Sequence, residues 1–94
     1  MSKYTPGKWE VWGGGINIRT KEKHIFIAAC GSNDSSRSME EYEANAHLIS
    51  AAPELLEQCK DALNLVDMRP ENWAIGLAEN LSQAIAKAEG AINA

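Results

Sequence analysis

The sequence predicts an α+β fold: a small three-stranded antiparallel sheet from its N-terminal part, packed by two to three C-terminal helices in a protein that associates with itself. Three observations carry this expectation. Apolar and polar residues alternate with a period of two before Ala29 and recur every three to four positions after Ser38. Gly13–Gly15 and Lys21–Lys23 have turn chemistry. Pro53 and Pro70 stand where helices begin rather than within them.

Taken in order, Lys8–Trp12 sets Trp9 and Val11 on one face of a strand and Glu10 and Trp12 on the other. Gly13–Gly15 turns the chain, and Ile16–Thr20 resumes the alternation with Ile16 and Ile18 together, which is a hairpin pattern. A second turn leads into His24–Ala29, whose nearly unbroken apolar character reads as a strand that is central or buried on both faces. Residues 1–30 thus form a meander, and 31–38, rich in Gly, Ser, Asn and Asp, a loop.

Residues 39–90 are expected to be helical and to complete a single domain. Ser38 and Glu41 have capping-box spacing, so a helix begins at Met39, with Met39, Tyr42, Ala46 and Ile49 in its apolar stripe and Leu48 and Ala52 beside it. A proline costs about 3 kcal/mol inside a helix and little at its first position, where its missing N–H would be unpaired anyway. Pro53 therefore marks a second helix after a break at Ser50–Ala52, with Leu55, Leu56, Cys59, Ala62, Leu63 and Val66 inward. Pro70 repeats the device before a third helix, whose stripe is Trp73, Leu77, Leu81, Ala84, Ile85 and Ala88.

At 94 residues the chain buries only about 60–65% of its unfolded surface, which favours self-association. No apolar run reaches the ~20 residues that span a bilayer and no secretory leader is legible, so the expectation is a cytoplasmic protein of a bacterial host, off the membrane. Cys30 and Cys59 lack metal-ligand spacing, and neither they nor His24 and His47 stand in a catalytic arrangement; no enzyme, cofactor or metal is expected. The formal net charge of −4 is uneven. Residues 1–38 carry six basic and three acidic side chains, and residues 39–94 three basic and ten acidic. The front can face an anion, whereas the acidic helices and a pI near 5.1 argue against nucleic acid.

The segment Glu43–Cys59, EANAHLISAAPELLEQC, resembles a signature of short proteins of tailed bacteriophages and prophages, in which a Trp-bearing N-terminal strand precedes EANAxLIxAAPELLE. Trp9, Glu43–Ala46, Leu48, Ile49 and Ala51–Glu57 carry the likeness. The resemblance implies an accessory phage gene and brings no catalytic residues with it. Alanines in this segment suit close helix packing; Asn45 either ties the helix to neighbouring backbone or faces a ligand.

Two functional expectations follow. In the first, the protein counters host defence without catalysis, by binding and sequestering a nucleotide-type immune signal. Its candidate ligand contacts are Trp12, Arg19, His24, Arg37 and Asn45, with the indole stacking on a base and guanidinium pairing with phosphate. In the second, the acidic residues Glu54, Glu57, Asp61, Glu71 and Glu79 engage a host defence protein. Gly13–Gly15 lacks the Lys and Ser or Thr of a phosphate loop and serves either as turn or as ligand contact.

Overall fold

The computed structural model describes residues 4–31 and 38–90. Strands β1 (Trp9–Trp12), β2 (Asn17–Thr20) and β3 (Phe26–Ala29) precede helices α1 (Met39–Ser50), α2 (Ala52–Val66) and α3 (Asn72–Ala88), an α+β architecture. The described residues group into two compact units, one spanning Thr5–Pro53 and the other joining Tyr4 to the chain from Glu54 onward.

In the first unit the three strands form an antiparallel sheet in the order β1-β2-β3. Trp9 pairs with Thr20, Glu10 with Arg19, Val11 with Ile18 and Trp12 with Asn17. Because side chains alternate across a strand, this register gathers Trp9, Val11, Ile18 and Thr20 on one face and Glu10, Trp12, Asn17 and Arg19 on the other. Helix α1 packs along β1 and β2. Ile18 and Ala46 are fully buried, and Tyr42 nearly so. Ala46 has no side chain beyond Cβ, so the helix can approach the sheet closely at the point of deepest burial. Ser38 caps α1 by accepting a hydrogen bond at Oγ from the Glu41 N–H at 3.2 Å, as its spacing with Glu41 predicts.

One strand departs from expectation. The third is not central: β2 occupies the centre, and β3 is an edge strand with Phe26 60% exposed. It also starts two residues late. His24 adopts a left-handed backbone (φ 56°) in the turn, and Ile25 closes that turn instead of extending the strand. Thr20 organises this closure. Its N–H donates to the Ile25 carbonyl at 2.8 Å, its carbonyl accepts from the His24 N–H at 3.0 Å, and its Oγ1 accepts from the Ile25 N–H at 2.8 Å. Nearly buried, Thr20 satisfies there a polar group that would otherwise be costly.

Helix α1 ends at Ser50, with Ala51 as its C-cap, and α2 begins immediately at Ala52. Pro53 is therefore the second helical residue rather than the first, still within the first turn, where backbone N–H groups have no intrahelical acceptor. The break is one residue long, which answers why a proline interrupts an apolar helical pattern: it marks a new helix, not a kink.

In the second unit, α2 buries Leu56 and half-buries Cys59, Ala62, Leu63 and Val66, while Leu55 is half-exposed instead of inward. In α3 Ala74 and Ile85 are buried and Ala78 and Leu81 half-buried on the same side. The expected stripe is rotated accordingly, for Trp73 is 60% and Leu77 42% exposed, and Ala84 and Ala88 are exposed too. Apolar residues cover more of this helix's circumference than its own unit buries, and small Ala74 and Ala78 occupy the close-contact side. Lys60 of α2 bridges Glu89 just beyond α3 at 2.6 Å.

Candidate functional site

Two features of the first unit concern ligand binding, and they lie on different parts of the sheet. On the outer face, Arg19 Nε donates to Glu10 Oε2 at 2.7 Å across the β1–β2 ladder. Its guanidinium carbon sits 4.8 Å from the centre of the Trp12 indole. Both contacts follow from register: Glu10 is directly opposite Arg19, and Trp12 is diagonal to it on the same face. Such a cation–π contact is worth about 0.5–1 kcal/mol at an exposed site. Here it fixes the guanidinium against Trp12 while Glu10 engages Nε alone.

The other sequence-nominated residues do not join this pair. His24 occupies the β2–β3 turn. Asn45 is half-buried on α1 beside Tyr42 and Ala46, which pack toward the opposite face of the sheet, and no hydrogen bond joins its amide to another described residue. Of its two expected roles, the tie to neighbouring backbone is thus not formed among the described residues. Arg37 lies outside the described residues.

Glycines 13–15 form the β1–β2 turn, each with positive φ. At Gly15 (φ +86°) a Cβ would stand 3.3 Å from Glu43 Cγ, so the Glu43 side chain of α1 fills the space that the missing side chain leaves. This gives the glutamate that opens the EANA segment a packing role against the hairpin turn.

An open groove of about 600 Å³ lies where the lead into β1 meets the β2–β3 turn. Its walls are Thr5–Lys8 and Thr20–Lys23. The Lys21 N–H donates to the Lys8 carbonyl at 2.8 Å and joins the two walls. Trp9 Nε1 donates to the Thr5 carbonyl at 3.2 Å and fixes the lead-in segment. Lys8, Lys21 and Lys23 thus line one groove, together with Glu22. None of the three makes an ion pair with another described residue, so their charges are available to a ligand.

The sequence alone presents Lys21 and Lys23 as turn residues and gives Lys8 no special place. The signal was nonetheless present in the hairpin register. Pairing Trp9 with Thr20 makes Lys8 and Lys21 neighbours at the open end of the β1–β2 pair, where the following turn adds Lys23.

Among the described residues no three His, Cys, Asp or Glu side chains could together hold a metal ion, and no helix is long and apolar enough to cross a membrane. Searches of curated proteins and of solved structures return no match. A family model does match, over residues 1–92, and the extent of that match shows that the chain belongs to the bacteriophage family described as Salmonella phage P22 protein Y8K6.

Proposed function

We infer that this phage protein acts by binding rather than by catalysis, and that its ligand is a nucleotide-type anion seated in the groove between Thr5–Lys8 and Thr20–Lys23. The observation that supports the reading is that three lysines without an ion pair among the described residues line one groove of about 600 Å³. That volume lies within the roughly 300–1,000 Å³ of small-molecule sites. Lysine ammonium groups bind phosphate as compact point charges, without the planar fork that a fixed arginine requires. Thr5 and the backbone at Gly7 add polar contacts for a sugar or phosphate oxygen. In a phage protein, capture without turnover fits sequestration of a host nucleotide signal as a counter to defence.

Isothermal titration calorimetry with cyclic dinucleotides and ADP-ribose-type nucleotides tests this. Lys21→Ala/Lys23→Ala should lose binding at least tenfold, and Arg19→Ala should retain it, since Glu10 and Trp12 already engage Arg19. Rising salt should weaken the complex, because exposed ammonium–phosphate attraction is screened beyond about 8–10 Å at physiological ionic strength. Binding that depends on Arg19 and ignores the lysines would overturn the site assignment.

A second reading rests on α2, where Glu54, Glu57 and Asp61 are all exposed and share one helical face. That acidic face suits a basic host protein. It predicts no nucleotide binding and a partner whose affinity falls in Glu57→Lys.

A further inference from the structure

The lysine groove holds one side chain that a site for phosphate alone would not. Glu22 lines it beside Lys8, Lys21 and Lys23. A carboxylate next to ammonium groups weakens their pull on any anion, so bare phosphate would be held better without it. Glu22 also follows Lys21 and precedes Lys23, yet among the described residues it forms an ion pair with neither. Its oxygens therefore keep an acceptor capacity that no described side chain takes up.

The turn that carries Glu22 has a fixed shape. Residues 21–24 lie between Thr20 and Ile25, which are joined by a hydrogen bond from the Thr20 N–H to the Ile25 carbonyl and by another from the Ile25 N–H to Thr20 Oγ1, both at 2.8 Å. The Lys21 N–H ties the same turn to the opposite wall through the Lys8 carbonyl. Successive Cα atoms stand about 3.8 Å apart, so the backbone positions of Lys21, Glu22 and Lys23 fall within about 8 Å of one another. A carboxylate that close to the ammonium groups meets the part of a nucleotide next to its phosphate, which is the sugar, before it meets the base.

The side chains of the groove thus divide by chemistry. Lysine ammonium groups only donate and suit the acceptor oxygens of phosphate, whereas a carboxylate only accepts and suits hydroxyl donors. Ribose offers such donors at its 2′ and 3′ positions, and an acidic side chain accepting from ribose hydroxyls is how dinucleotide-binding folds read that sugar. We propose that Glu22 accepts a hydrogen bond from the ribose hydroxyls of the ligand and makes the groove select ribonucleotides over deoxyribonucleotides. This rests on the nucleotide reading of the groove and adds the sugar to it. A hydrogen bond to a charged group in an open groove is worth about tenfold in affinity.

Isothermal titration calorimetry of the full chain with ADP, 2′,3′-dideoxy-ADP and inorganic pyrophosphate tests the proposal, with circular dichroism to verify folding of each variant. The wild type should bind ADP about tenfold more tightly than the dideoxy analogue. In Glu22→Ala the two should bind alike, and the dideoxy analogue and pyrophosphate should both bind more tightly than they do to the wild type, because a repelling charge is gone. Glu22→Gln, which keeps an acceptor oxygen without the charge, should retain a smaller preference for ADP. Equal binding of ADP and the dideoxy analogue by the wild type, lost in Lys21→Ala/Lys23→Ala, would overturn the role of Glu22 while leaving the groove as a phosphate site. A preference for ADP that persists undiminished in Glu22→Ala would overturn it as well. Failure of all three probes to bind in a lysine-dependent way would overturn both this assignment and the nucleotide reading beneath it.

Discussion

Replacing Ile18 with alanine should cost far more stability than replacing Phe26, although Phe26 is the larger side chain and sits in the more apolar strand. Ile18 has no exposed surface, lies at the centre of the sheet and faces α1. Truncating such a residue removes its transfer energy and leaves a cavity, for a total of about 2–5 kcal/mol. Phe26 is 60% exposed on the edge strand. Full burial of a phenylalanine contributes roughly 1.5–3 kcal/mol, so the covered part is worth about 1 kcal/mol. A domain of this length has about 5–14 kcal/mol in total, which makes the Ile18→Ala loss a large fraction of it. At about 4–8 °C per kcal/mol, Ile18→Ala should lower Tm by at least about 8 °C and Phe26→Ala by roughly half that or less. Urea and thermal unfolding followed by circular dichroism measure both. Equal losses, or a larger one at Phe26, would refute the placement of β2 at the centre and β3 at the edge.

Further outcomes follow from single contacts. Gly15→Val should destabilise the first unit by about 1–3 kcal/mol, because a branched side chain resists positive φ and its Cβ would crowd Glu43; the same substitution combined with Glu43→Ala should recover the steric part but not the backbone part. Ser38→Ala removes the oxygen that caps Glu41 N–H and should cost about 1 kcal/mol in urea unfolding, whereas Ser38→Asp should cost almost nothing. Lys60 is held above its ordinary pKa first by its hydrogen bond to Glu89; loss of hydration, next in size, opposes the rise, and the charges of Glu89, Tyr4 and Glu57 add to it. A raised lysine favours folding at any pH below its unfolded pKa, and that contribution disappears as pH rises through the folded value. Urea midpoints should therefore show no loss from this pair at neutral pH and a decline in the alkaline range that shrinks in Glu89→Gln.

What could be read in the sequence was local. The alternation at Trp9–Trp12 and Asn17–Thr20, the cap at Ser38 and the restart at Pro53 depend on neighbours a few positions away, and each lies within one residue of where the pattern predicts. The place of β3 depends instead on which strands pair, and an apolar edge strand looks central when Phe26 and Ile27 are read without that knowledge. The α3 stripe was misaligned for a related reason. Hydrophobicity favours Trp73 and Leu77 as core, while packing uses Ala74 and Ala78, whose small size permits contact. Among the nominated ligand residues, Trp12 and Arg19 do come together, since their register is legible, with Glu10 engaging Nε of the arginine. The lysine groove forms only when the two ends of the β1–β2 pair meet, which scatters its members across Lys8, Lys21 and Lys23 in sequence.

The central claim is that the lysine groove captures a nucleotide-type anion. Native mass spectrometry of the protein purified from bacterial cells, before and after addition of cyclic dinucleotides and ADP-ribose-type nucleotides, tests it most directly. The account predicts adducts of nucleotide mass on the wild type and on Arg19→Ala, and their loss in Lys8→Ala/Lys21→Ala/Lys23→Ala. A wild type that carries no adduct from the cell and takes up none of the added nucleotides, or a triple variant that binds as the wild type does, would contradict it.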